Sequence, residues 1–151
     1  MDAKRMITFL GLQPHPEGGY YRAVLGNEND ETQAISSILY LLQGSDFSAF
    51  HRLHGLTEIW YHHTGATLKI FIIEADGRLT THLISPTHEP QVIIQPDLWF
   101  AAELATPDGF CLVGCAVSPA FTYNHFELAR KKDLLSHYPE HSEIINRLCR
   151  Q

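Results

Sequence analysis

From Phe47 to Gly65 the chain reads FSAFHRLHGLTEIWYHHTG, with four histidines and one glutamate. Imidazole and carboxylate groups at this density suit either proton transfer or a metal centre. In a strand, residues i, i+2 and i+4 share a face. Ala49, His51 and Leu53 then oppose Phe50 and Arg52, while Glu58, Trp60 and His62 oppose Ile59, Tyr61 and His63. If the HGL turn pairs the two strands as a hairpin, His51 and Glu58 point into the same space. A carboxylate there would hold one imidazole tautomer and raise its pKa, which suits acid–base work near neutral pH. His62 and His63 are neighbours facing opposite ways, so they cannot chelate one ion.

A second segment, HPEGGYYR, places Glu17 among glycines and prolines. Glu17 could bind a ligand or cap a turn. Tyr21 and Arg22 from this segment, with Arg52, are candidate ligand contacts. The arginines are suited to bidentate recognition of phosphate or carboxylate, or else to surface ion pairs. Trp60 and Trp99 are candidate pocket walls able to stack on a ring. His15, His82, His88, His125, His137 and His141 lack ligand spacing and read as surface or loop residues. Tyr40, Tyr61 and Phe126 read as core.

These residues need a scaffold. Asp2 can cap a helix from about Ala3 to Leu10, with Met6, Phe9 and Leu10 as its buried stripe and Gly11 as its stop. From Ala34 to Ser118 short apolar or alternating runs are separated by QGSD, HGL, TG, DGR, PTHEP, QPD and TPDG. That spacing predicts an all-β sandwich or barrel. The C-terminal ELARKKDLLSHYPEHSEIINRLCRQ carries Leu128, Leu134, Leu135, Ile144, Ile145 and Leu148 at helical spacing. Pro139 divides it into two short helices.

The 151 residues suit one domain with one core, and 19% charged residues is ordinary for a globular protein. A formal charge of −6 opposes nucleic-acid binding, which needs a basic face. No run is long and apolar enough for a membrane span, and the N-terminus does not read as a signal peptide. Cys111, Cys115 and Cys149 show no CxxC spacing, so a disulfide framework is not expected and a reducing cytoplasm fits best. Cys111 and Cys115 would share a strand face as packing residues.

His51, Glu58 and Gly65 fit the register of the first cupin motif, with Leu53 where a second histidine is usual. Pro96 to Ala101 matches the second motif, with Leu98 at its glycine and Ala101 at its histidine. Across the chain, HPEGGYYR, SSILYLL, SAFHRL, EIWYHHTG, PQVIIQP, LVGCAVSPAF and HFELA follow one another as in the DUF985 (cupin 5) family, which the sequence resembles from Leu12 to about Pro139. The family usually has histidine where Tyr61 stands, an acidic residue at Thr57, and glycine at Leu98 and Ala120. The resemblance implies a jelly-roll barrel and a homodimer. It also implies an inward Trp99, which shares the phase of Ala101, and a role for Glu127 at the pocket or the interface. Zinc or iron needs about three converging donors, and two of the usual positions are apolar. The expected function is a small-molecule-binding cupin with its pocket on His51 and Glu58 and no metal or cofactor. Analogy with metal-free cupins suggests an epimerase or isomerase of a nucleotide-linked sugar. A metallo-cupin with His54 as an unusual third donor is a further alternative.

Overall fold

The computed structural model describes the whole chain, Met1 to Gln151. Helix α1 spans Ala3–Leu10. The Asp2 carboxylate accepts the Arg5 N–H at 2.9 Å, and Gly11 ends the helix at φ 65°. Its inner face is Met6, Ile7 and Leu10, packed on Leu12, Leu41 and Leu112. Phe9, expected in that stripe, is exposed. At 100° per residue Ile7 completes the face with Met6 and Leu10, and Phe9 falls outside it.

The strands are β1 (Gln13–Pro14), β2 (Tyr20–Leu25), β3 (Ser36–Gln43), β4 (Phe47–Leu53), β5 (Thr57–Gly65), β6 (Leu68–Ile73), β7 (Leu79–Ile84), β8 (Gln91–Ile94), β9 (Trp99–Leu104), β10 (Phe110–Ser118) and β11 (Phe126–Leu128). They form two antiparallel sheets, ordered β1-β2-β3-β10-β5-β8 and β11-β4-β9-β6-β7. The expected jelly roll is therefore present, and apolar side chains from both sheets fill the space between them. Trp60, Tyr40, Ile70, Ile84 and Phe100 are among the buried residues there.

The hairpin expectation fails. β4 pairs with β9 and β11, while β5 pairs with β10 and β8 in the other sheet. Leu53 and Leu56 bury against Val117. Burying both leucines carries the connection across the sandwich, so His51 and Glu58 approach from opposite sheets. The start of the C-terminal segment, Glu127 and Leu128, is also corrected. It pairs with β4 instead of opening a helix, because sheet pairing overrides a weak helical pattern.

Helices α2 (Lys131–His137) and α3 (Ser142–Leu148) are separated by a 3₁₀ turn at Pro139–His141. They lie on the outer face of the smaller sheet. Leu134, Ile144, Ile145 and Leu148 pack there with Phe50, Phe71, Ile73 and Ala101. This second apolar layer makes both faces of β9 apolar. No helix is long and apolar enough to cross a membrane.

Candidate functional site

A cavity of about 90 Å³ opens between the sheets, with His51 from β4 and Glu58 and Trp60 from β5 in its wall. The loop after β1 adds His15 and Glu17, and β2 adds Tyr21. His51, Glu17 and Glu58 are each less than a tenth exposed.

The imidazole is fixed by its surroundings. His51 Nδ1 lies 2.7 Å from the Ala49 carbonyl, which assigns the proton to Nδ1. Phe100 and Phe126 flank the ring, with centroids 4.1 and 5.5 Å away. Nε2 faces Glu17 Oε2 at 3.3 Å, outside hydrogen-bonding geometry. The carboxylate within ion-pair reach of His51 is thus Glu17; Glu58 does not orient the ring. No protein donor reaches Glu17 Oε2, although the atom is buried. Its Oε1 accepts from Ser48 Oγ at 3.1 Å. Glu58 Oε1 accepts the Trp60 indole N–H at 2.5 Å.

Burial governs the protonation of all four groups. It raises Glu58 to about 7, against the opposing effects of His51 and of the Trp60 hydrogen bond. Burial also raises Glu17, with His15 and Ser48 opposing. It lowers His51, with Glu58 pulling the other way, and lowers His15, with Glu17 opposing. Although Glu17 is the closer group, the field that His51 feels comes from Glu58. The charge on Glu17 acts instead on His15 and on Glu58, raising both.

The HPEGGYYR segment is held rigidly. Gly18 has φ 113°, and a Cβ there would stand 1.9 Å from the Phe47 carbonyl oxygen. Gly19 donates to Asp46 Oδ2 at 2.9 Å. Asp46 Oδ1 accepts from Arg150 Nη2 at 2.8 Å, and Arg150 Nε donates to the Glu17 carbonyl at 3.2 Å. The guanidinium also lies over the Phe47 ring at 4.0 Å. The segment just beyond the last helix is in this way tied to the loop that aims Glu17.

Three expected ligand contacts lie elsewhere. Arg22 alternates away from Tyr21 and Ala23 and donates to the Leu10 carbonyl on the outer surface. Arg52 pairs with Glu127 at 2.8 Å and covers the Trp99 ring at 4.2 Å, in an outer groove beside α2. Trp99 points outward because Phe100, opposite His51 in the β4–β9 register, takes the inward phase. Alternation could not choose between them, since α2 and α3 supply an apolar cover to the other face. Glu127 also binds His54 at 2.7 Å, so both stand outside the cavity.

Some cavity residues were missed. His15, expected on the surface, lines the cavity and stacks edge-on to Tyr21 at 4.7 Å. Its place two residues before Glu17 in a conformationally restricted segment was the available signal. Phe126, expected as core, lines the mouth with Phe121 and Tyr123. Phe121 and Tyr123 had no signal, since their loop is placed only by tertiary packing.

The cupin resemblance raises the question of a metal ion. No group of three or more His, Cys, Asp or Glu side chains is arranged to hold one. Leu53 presents an apolar wall, Ala101 faces the helices, and β9 turns Phe100 toward His51. The side chains present therefore do not fit a metal centre.

Comparisons with known proteins agree with the architecture. A crystal structure of a Shewanella oneidensis protein is 38% identical, with a TM-score of 0.90 over 99% of this chain and 98% of that one. A hypothetical protein from Leishmania major is 28% identical, with a TM-score of 0.90 over the full length of both. Oxalate decarboxylase from Lactobacillus farciminis, at 15% identity and TM-score 0.61, covers 91% of this chain and 41% of its own, and shows the fold alone. No curated protein matches. The family described as Cupin superfamily (DUF985) matches residues 4–129, and the chain belongs to it.

Proposed function

We propose that the protein binds a small molecule in the cavity between its sheets, with Glu17, His51 and Glu58 as polar anchors and Trp60 as a wall. One observation carries this reading. Glu17 Oε2 is buried without a hydrogen-bond donor from the protein, beside an imidazole nitrogen held 3.3 Å away. A buried polar atom left unmatched costs about 1–3 kcal/mol, and a ligand donor would recover that cost. A few convergent polar groups within apolar and aromatic walls is the usual form of a small-ligand site.

The test is mass spectrometry of the molecules released on denaturing natively purified protein, with thermal-shift screening of the same fractions. Wild type is expected to release a small organic molecule that Glu17→Leu and His51→Leu variants do not retain. Neither retention nor stabilisation by any fraction would refute the reading.

A second reading, catalysis by proton transfer, is favoured by a single observation. Burial brings Glu58 to about 7, where a carboxyl can both give and take a proton. Solvent deuterium would then enter a bound substrate at carbon with wild type and not with Glu58→Gln. Equal incorporation by both proteins would exclude Glu58 as the acid–base group.

A further inference from the structure

The charge and shape of the cavity narrow the chemistry of its ligand. Three carboxylates border it: Glu17 and Glu58 within, and Glu28 at the mouth. No lysine or arginine lines it. Phosphates or carboxylates entering here would meet like charge without a compensating cation. The walls are aromatic. Phe121, Tyr123 and Phe126 stand mutually edge-on, with centroids 5.1, 6.1 and 6.2 Å apart. Tyr21 and Trp60 extend this surface inward. Aromatic faces beside a carboxylate attract ammonium groups, and most strongly when these are desolvated. Glu17 Oε2 still lacks a partner, and the only hydrogen bond to the Glu58 carboxylate comes from Trp60. The cavity of about 90 Å³ suits a compact headgroup better than a nucleotide-linked sugar.

We infer that this cavity selects a small organic ammonium ion, held between the aromatic mouth and the carboxylates of Glu17 and Glu58, and rejects anions. The inference rests on the reading that the cavity is a ligand site. The cation takes over the role that protons play at these carboxylates in the protein alone. Binding therefore releases protons, and affinity rises with pH until the carboxylates are ionised. The titratable groups facing Glu58 are His51 from β4, His15 and Glu17 from the β1–β2 loop, and Cys115 from β10. Tyr40 from β3 and Arg150 beyond α3 act on Glu17, Tyr21 lies farther in, and Glu28 and Tyr123 stand at the mouth. Cys115 stays a thiol, because burial raises its pKa well above the ordinary range.

Three isosteric probes test this: choline, the neutral 3,3-dimethylbutan-1-ol, and the anionic 3,3-dimethylbutanoate. Each is titrated by calorimetry and followed by the tryptophan indole N–H resonances. Choline is expected to bind at least tenfold more tightly than the alcohol at about pH 8, equivalent to ~1.4 kcal/mol. The carboxylate is expected not to bind. Choline should also release protons when titrated near neutral pH in buffers of different ionisation enthalpy. Glu58→Gln and Tyr123→Ala should each reduce the choline preference. Equal or tighter binding of the alcohol or the carboxylate, with the Trp60 resonance shifted, would overturn the cation preference and leave the ligand site standing. No shift at Trp60 with any probe at millimolar concentration would overturn the ammonium inference, and the ligand-site reading falls with it only if natively purified protein also retains no small molecule.

Discussion

Glu58 shows how one buried carboxyl can set the behaviour of the whole pocket. Its folded value of about 7 lies above the ordinary 4.5. A raised carboxyl binds its proton more tightly in the folded state than in the unfolded one. The resulting penalty is absent below about pH 4.5, grows as pH rises, and is complete above about 7. Glu17 acts in the same sense. His51 acts in the opposite sense, because its lowered pKa costs stability only as pH falls below 6.5. Glu58→Gln keeps an oxygen for the Trp60 N–H and removes the charge. It should stabilise the protein by up to about 3 kcal/mol at pH 8 and change little at pH 4, as measured by thermal melts across pH. The same substitution removes the field that supports the His51 imidazolium. His51 should therefore titrate still lower in the variant, as measured by imidazole NMR. The sequence made His51 and Glu58 legible as inward groups, because alternation and spacing are local properties. It did not reveal that Glu17 is the carboxylate beside the ring. That proximity depends on a loop returning from 34 residues away in the chain.

At the scale of elements, the β1–β2 loop and β9 carry the testable claims. The loop follows its path because Gly18 has no side chain where the Phe47 carbonyl approaches. Gly18→Ala should cost about 2–3 kcal/mol, or roughly 5–10 °C in Tm, and should weaken ligand retention by displacing Glu17. Strand β9 shows where pattern reading fails. Phe100, Ala102 and Leu104 face the interior, while Trp99 and Ala101 face the helices, and both sets are apolar. Alternation needs one wet face to fix the phase. Because Trp99 lies outside, Trp99→Phe should leave the affinity of any cavity ligand within about twofold. Phe100→Ala removes a wall of the His51 ring and should reduce that affinity by tenfold or more, by calorimetry. The strands between Ala34 and Ser118 and both C-terminal helices were legible because turn residues and Pro139 punctuate them. The crossing at His54–Leu56 was not, since a short turn serves a hairpin and a crossover alike.

The whole molecule is a jelly roll in which the segment after the last helix is fastened to the β1–β2 loop. Arg150 bonds to the Glu17 carbonyl, the Phe47 carbonyl and Asp46, so residues from both ends of the chain hold one wall of the cavity. Arg150→Ala should cost about 1–2 kcal/mol, a modest figure because the side chain is partly exposed, and should lower Tm by a few degrees. The most direct test of the buried acid–base cluster uses the two tryptophans of the chain as reporters. The Trp60 indole N–H is bonded to Glu58 inside the cavity, and Trp99 lies outside under Arg52. In a pH titration of ¹⁵N-labelled protein, the Trp60 indole resonance should move with a midpoint near 7, while that of Trp99 shows no such step. A Trp60 midpoint at the ordinary carboxyl value of 4.5, or the step near 7 on Trp99 instead, would contradict the account.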